Sequence, residues 1–371
     1  MQYNRMPIEV ESPEMMGYEH IKYNLAESSV SDVNLSELNL HLNDLLLCYG
    51  HHIGKPELRN LIANLYPGQL TADTILITPS AATALFIVNT AMLEKEDTLL
   101  VMRPNYATNI ETPRAIGCRI EFIDLSFENN YQPDIESIRS QIDANTKMIS
   151  ITTPHNPTGV CFSEELIQQL IEIAEEKNIV LLIDETYKDL QFDGVQLPYY
   201  AAKSKQVVSV SSVSKAYGIP GVRIGWIACQ NKALMQTFLA AKEQILICNS
   251  VVDEEIAYQF LLKRNDYLPS IQQRIQQNFN YLENYMHNHT LLEWVKPKGG
   301  VVSFPRIKES VNINVEKFYK ILNDKYQTFV GTGHWFEQSK RNFRLGFGYS
   351  DHENFKQALA NIDKALKESR N

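Results

Sequence analysis

Ser212-Val-Ser-Lys215-Ala-Tyr-Gly-Ile-Pro-Gly-Val-Arg223-Ile-Gly-Trp226 is the stretch that decides how this chain folds. It sets a lysine just beyond a β-branched run at 207–212 (VVSVSS) and an arginine immediately before a second apolar run at 224–229 (IGWIAC). Upstream lie more runs of the same kind: 98–102 (TLLVM), 120–125 (IEFIDL), 148–153 (MISITT) and 179–183 (IVLLI), with Ile75-Leu-Ile-Thr78 ahead of them. None alternates strictly between apolar and polar, a pattern that suits strands buried on both faces. Helical patterns separate them. The clearest covers 163–177, where Leu166, Ile167, Leu170, Ile171 and Ala174 form one stripe and Glu164 and Glu165 load the first turn. Alternating strands and helices predict an α/β fold with a mostly parallel sheet. One strand should break the rule. The 11 residues 213–223 fall short of the roughly dozen or more that a parallel crossover needs, so 224–229 is expected to run antiparallel. Arg223 would then stand at the same sheet edge as Lys215.

Open parallel sheets bind ligands outside the carboxyl ends of their strands. Three segments follow such ends here: Pro154-His-Asn156-Pro-Thr-Gly159, Asp184-Glu-Thr-Tyr187 and Val213-Ser-Lys215-Ala-Tyr217. They bring an amide, a carboxylate, a phenol and a lysine to one edge. That set suits an enzyme that uses lysine covalently, because an amine can form a Schiff base while an acid keeps a partner ring protonated. Each residue also has a plainer reading. A lysine after a strand is usually a solvated charge, Asp184 could cap a helix, Asn156 before Pro157 could be turn chemistry, and Tyr106 could be a core aromatic. It is their joint placement that argues for chemistry.

Composition narrows the partners. With 35 Lys and Arg against 44 Asp and Glu, the net charge of −9 offers no basic stripe for nucleic acid or an anionic membrane surface. A small molecule is the expected partner. No apolar run approaches the roughly 18 residues of a membrane span, and MQYNRMPIEVESPEMM carries acids where a signal peptide needs a basic and then an apolar segment. Cys48, Cys118, Cys161, Cys229 and Cys248 are scattered and odd in number, which fits a reducing compartment. The chain reads as cytoplasmic.

Taken together, the motifs resemble those of class I/II aminotransferases, pyridoxal-phosphate enzymes of fold type I, over about residues 49–344. The 212–226 stretch is similar to the family's lysine motif, and His155-Asn156-Pro157-Thr158-Gly159 and Asp184-Glu-Thr-Tyr187 resemble two further markers in the family's order. The resemblance implies a seven-stranded, mostly parallel sheet with one antiparallel strand, plus a smaller α+β domain. Lys215 would carry pyridoxal 5'-phosphate as a Schiff base and later move the proton. Asp184 would pair with the pyridinium nitrogen, keeping the ring an electron sink. Tyr187 and Asn156 would hydrogen-bond the phenolic oxygen, with Asn156 also on the substrate side, and Tyr106 would stack on the ring. Ser212, Arg223 and the backbone N–H groups of Ala81 and Ala82 would hold the phosphate. Tyr49, in Tyr-Gly-His-His-Ile-Gly-Lys-Pro, would reach the phosphate of the neighbouring subunit in a homodimer. Arg344 would grip the substrate α-carboxylate, and Glu27 would face the substrate.

The implied reaction exchanges an amino group between an L-amino acid and a 2-oxo acid. A second reading is a lyase or cyclase of the same fold, since Lys298-Gly-Gly-Val-Val-Ser-Phe-Pro305 and the lysine segment also resemble capreomycidine synthase. A third, a non-catalytic effector-binding protein, would need a DNA-binding helix-turn-helix for which the residues before Tyr49 leave little room. The expected division is a large cofactor domain at 46–265 and a small domain built from 1–45 and 266–371. We expect one long connecting helix at 253–287 interrupted at Pro269, and in the terminal unit strands at 301–305 and 344–347 and helices at 315–325 and 351–367. No metal site is expected: His51 and His52 are adjacent and cannot share a helix face. Ser212-Val-Ser-Lys215 matches the SxxK pattern of acyl-transfer enzymes, yet no KTG accompanies it. Gly331-Thr-Gly333-His334-Trp335 reads as a loop on the substrate side.

Overall fold

The computed structural model describes residues 1–68, 70–190, 192 and 198–370. Seven strands form the central sheet: β1 (Ile75–Thr78), β2 (Thr98–Arg103), β3 (Arg119–Asp124), β4 (Thr146–Thr152), β5 (Val180–Asp184), β6 (Val207–Ser212) and β7 (Gly225–Cys229). They lie in the order β1-β7-β6-β5-β4-β2-β3. Strands β2 to β6 pair in parallel, and β7 is antiparallel to both β6 and β1, as the short 213–223 connection requires. The sheet is thus mostly parallel with one antiparallel strand, as expected from the sequence.

Every residue of β1, β5, β6 and β7 is buried. Successive side chains feed two cores: Ile75, Leu100, Ile149, Leu181 and Ile183 lie in one, and Leu76, Leu99, Met148, Leu182 and Val208 in the other. With both faces covered, a strand has no reason to alternate in polarity. The run at 120–125 departs from this expectation. It forms β3 at the sheet edge, with Arg119 and Asp124 exposed, because only β2 flanks it and its far side meets solvent. Helix ends follow their local signals. Ser163 Oγ accepts from Leu166 N at 3.2 Å to open the helix Glu164–Lys177, and Asn178 closes it in the left-handed region at φ 53.

After the sheet the chain departs from the single long helix read at 253–287. Two helices occupy the region, Val251–Leu262 and Arg264–His287, and the break falls at Lys263. Pro269 is the sixth residue of the second helix, which continues through it to His287, so the proline does not end the helix. The strand expected at 301–305 shortens to Val302–Ser303, and the one expected at 344–347 shifts by one residue to Phe343–Gly346, which pairs with Val302–Ser303 and with Gly331–Thr332. The helix at 315–325 is α-helical only over Val315–Lys320 and widens to a π turn at Ile321–Lys325. Asp351 caps Asn354 N at 2.9 Å to start His352–Glu368.

The N-terminal residues serve both regions. Gln2 N bonds Ala115 O in the helix Thr108–Ile116. Tyr23–Asn24 pairs with Thr328–Phe329, and Leu25 O accepts from Gly346 N at 2.7 Å. Among the described residues no helix is long and apolar enough to cross a membrane.

Candidate active site

Because β1, β2, β4, β5 and β6 are parallel, their carboxyl ends share one edge, and the antiparallel β7 begins there. A cavity of about 270 Å³ opens at this edge. Ala81, Ala82, Tyr106, Asn156, Asp184, Tyr187, Ser212, Lys215, Arg223, Glu27 and Arg344 all line it. Of the residues singled out in the sequence, Tyr49 alone stays outside; it is 82% exposed on the surface.

One end of the cavity is built to take an anion. Ser80 Oγ accepts from Thr83 N at 3.0 Å and caps the helix Ala81–Met92, so the amides of Ala81 and Ala82 remain as donors at a helix N-terminus. Gly225 opposes Ser212 on one side and Thr78 on the other. A Cβ there would sit 2.4 Å from Ser80 C and 2.6 Å from Ala81 N, so only glycine lets the helix start approach β7 this closely. Ser212 Oγ accepts from Ser214 N at 3.3 Å, leaving its own O–H to donate. Arg223 is tethered through Nη1 to Pro220 O at 2.7 Å.

At the centre, Asp184 Oδ1 accepts from Thr186 N at 3.0 Å and from Thr186 Oγ1 at 2.5 Å. Burial pushes its pKa upward and the Thr186 bonds partly offset this. Lys215 lies at the cavity with its pKa lowered by burial, an effect opposed by Glu27. It forms no ion pair with Asp184 or Glu27 among the described residues. Tyr187 donates from its hydroxyl to Ser28 O at 2.9 Å, and burial raises its pKa to about 12. Beneath Asn156, His155 bridges Pro104 O through Nε2 at 2.9 Å and Thr158 Oγ1 through Nδ1 at 2.7 Å. Burial holds this ring neutral, with a pKa lowered to about 4; it positions the Asn156 turn.

The wall opposite the sheet comes from the terminal unit. Arg344 is buried, donating from Nη1 to Asn156 Oδ1 at 3.1 Å and from Nη2 to Ala26 O at 2.7 Å. Its Nε is buried without a hydrogen-bond partner, and Nη1 and Nη2 each keep a second proton beyond the bonds named. The backbone at 26–28 is led in by Gly218, at φ +68, where a Cβ would strike Ser31 O at 2.1 Å. There Val30 N bonds Lys215 O at 3.0 Å and Val33 N bonds Gly218 O at 2.9 Å.

Sequence reasoning missed a third wall. Ile8, Glu9, Ser12, Pro13 and Glu14 reach the cavity from two short helices, Pro7–Val10 and Pro13–Met16. Glu11 fastens them, accepting from Trp335 Nε1 at 2.7 Å and meeting His334 Nε2 at 3.0 Å. Trp335 itself lines the cavity; the segment read as a loop at 331–335 is a strand at Gly331–Thr332 followed by a 3-10 turn at Gly333–Phe336, because the 331–332 backbone pairs with Phe343–Arg344. An isolated glutamate gives no sequence signal for such a contact.

The residues present fit pyridoxal phosphate: an anion cradle of amides, hydroxyl and guanidinium at one end, a buried carboxylate and a lysine at the centre. The model of the family "Aminotransferase class I and II" matches residues 22–362. A solved structure described as a PLP-dependent aminotransferase from Streptococcus suis superposes with a TM-score of 0.91 at 26% identity, covering 100% of both chains. Among curated relatives, an aspartate aminotransferase of Pyrococcus horikoshii is 25% identical over 86% of this chain and 83% of its own length. Capreomycidine synthase of Streptomyces vinaceus is 25% identical over 94% and 91%. Fold and site thus define a pyridoxal-phosphate enzyme. The chain belongs to the class I and II aminotransferase family.

Proposed function

We propose that this aminotransferase moves an amino group between an L-amino acid and a 2-oxo acid, with Lys215, Asp184 and Arg344 as its working groups. The observation that carries the reading is the convergence of these three residues, from β6, β5 and the terminal unit, on one cavity. Pyridoxal phosphate, when bound, supplies a carbonyl that condenses with amines and a ring that accepts the electron pair left at the substrate α-carbon.

The chain's own groups do the rest. Ala81 N, Ala82 N, Ser212 Oγ and Arg223 hold the phosphate. Asp184, kept oriented by Thr186, holds a proton on the ring nitrogen. Asn156 donates toward the phenolic oxygen, Tyr187 does so by turning its one proton from Ser28 O, and Tyr106 covers the ring face. Lys215, whose burial favours the neutral amine, has a lone pair free to react and afterwards to take a proton and return it. Arg344 orients the substrate through its α-carboxylate.

The reading extends to a homodimer in which Tyr49, exposed in the single chain, completes the partner's phosphate site. It also extends to large and small domains divided at about 46 and 266. Five scattered cysteines, odd in number and without a CxxC pair, support a cytoplasmic setting. Incubation of the purified holoenzyme with an amino-acid panel tests the reaction. We expect the cofactor absorbance to change and a 2-oxo acid to accumulate without ammonia. Ammonia or a cyclised product would mark the lyase or cyclase reading instead.

A further inference from the structure

The cavity holds more negative charge than the reaction uses. Asp184 has a task at the ring nitrogen, but Glu27, Glu9 and Glu14 also line the space. None of these three forms an ion pair among the described residues. Glu27 receives only long contacts, from Tyr18 Oη and Asn24 Nδ2, each at 3.5 Å. The cations nearest Glu27 are Lys215, whose amine is committed once cofactor is bound, and Arg344. Burial already raises the Glu27 pKa, with Glu14 adding to the effect and Lys215 and Arg344 opposing it.

The opposite requirement stands beside them. Arg344 is 5% exposed, lines the same cavity and has an unpartnered Nε. One wall therefore offers Arg344 to a carboxylate and, beside the Ala26 carbonyl that Arg344 grips, Glu27 to a cation, which suits a single ligand carrying both groups. Resting on the aminotransferase reading, we infer that the amino donor is a basic L-amino acid whose side-chain guanidinium or ammonium is received by Glu27, with Glu14 and Glu9 at the mouth. The N-terminal helices are then specificity elements, held over the site by the Glu11 contacts to His334 and Trp335. An acidic side chain in the same place would face three like charges.

The test uses the holoenzyme and four probes: L-arginine, L-ornithine, L-alanine and L-aspartate, each followed by the change in cofactor absorbance in the absence of acceptor. The expected order of kcat/KM places arginine or ornithine first and aspartate last. Glu27→Gln should lower the ratio of kcat/KM for the basic donors to that for alanine by about tenfold or more, as for loss of a charge-assisted hydrogen bond. Glu14→Gln, at an exposed position, should act in the same direction by a smaller factor. Aspartate reacting fastest, or Glu27→Gln slowing all four donors equally, would overturn the inference and leave the aminotransferase reading intact. If no donor changes the absorbance although cofactor is bound, the aminotransferase reading itself fails, and this inference with it.

Discussion

Replacing Arg344 by alanine tests where the substrate lies. The guanidinium is buried, spends Nη1 on Asn156 Oδ1 and Nη2 on Ala26 O, and keeps Nε free. Truncating one partner of such a desolvated charge pair costs about 2 to 5 kcal/mol. At about 1.4 kcal/mol per decade this corresponds to a fall in kcat/KM of roughly thirty-fold to a few thousand-fold. The two bonds to protein acceptors are lost as well, but that loss appears in the melting temperature rather than in the rate constant of folded enzyme. Arg344→Lys separates the two effects, since an ammonium keeps the charge and cannot fork onto a carboxylate. Its rate loss should be smaller than that of alanine. The assay is single-turnover absorbance with an amino acid and with the matching amine lacking the α-carboxylate. Arg344→Ala should slow the first strongly and the second little, with cofactor still bound. Equal losses for both, or release of the cofactor, would refute the placement of the carboxylate.

Other outcomes follow from the same geometry. Borohydride reduction and peptide mapping should find the cofactor adduct on Lys215, and Lys215→Ala should yield none; an adduct on another lysine would overturn that assignment. Gly225→Ala forces a Cβ against Ser80 C and Ala81 N, an overpacking of about 1 to 3 kcal/mol. Both melting temperature and phosphate affinity should drop, and unchanged cofactor binding would show that the helix start is not the anion site. Mixing Tyr49→Ala with Lys215→Ala subunits should restore partial activity, because one site of each heterodimer then escapes both lesions; no recovery in proven heterodimers would place Tyr49 in its own subunit's function. Glu254, buried with its pKa raised to about 7, binds its proton more tightly folded than unfolded. Its contribution is therefore present at low pH and is lost as pH rises from the usual carboxyl range through about 7. The melting temperature of Glu254→Gln relative to wild type should rise between pH 5 and 8, and a flat difference would contradict the assigned burial.

Much of this was legible because strand ends are where parallel sheets do chemistry. The lysine segment, the Asp184 segment and the Asn156 turn each follow an apolar run, and the short 213–223 connection could close only antiparallel. Elements marked by weak or misleading local signals were not legible. Pro269 looked like a helix breaker, yet the helix continues through it, while the real break at Lys263 carries no marker. The run IEFIDL reads like a buried strand, but sheet order, which decides that β3 is an edge, is a long-range property. The wall bearing Glu9, Glu14 and Trp335 depends on Glu11 meeting residues more than three hundred positions away, and no periodicity records such a pairing.

The contacts that complete the cavity span great lengths of chain: Ser28 with Tyr187, Asn156 with Arg344, and Ala26 with Arg344, the last 318 positions apart. During synthesis the sheet from β1 to β7, with Lys215 at its edge, can form while Arg344 is still unmade. For that interval an emerging polypeptide displays the reactive lysine and much of the anion cradle without the carboxylate grip or the N-terminal wall over them. Cofactor capture can therefore precede substrate discrimination on the ribosome.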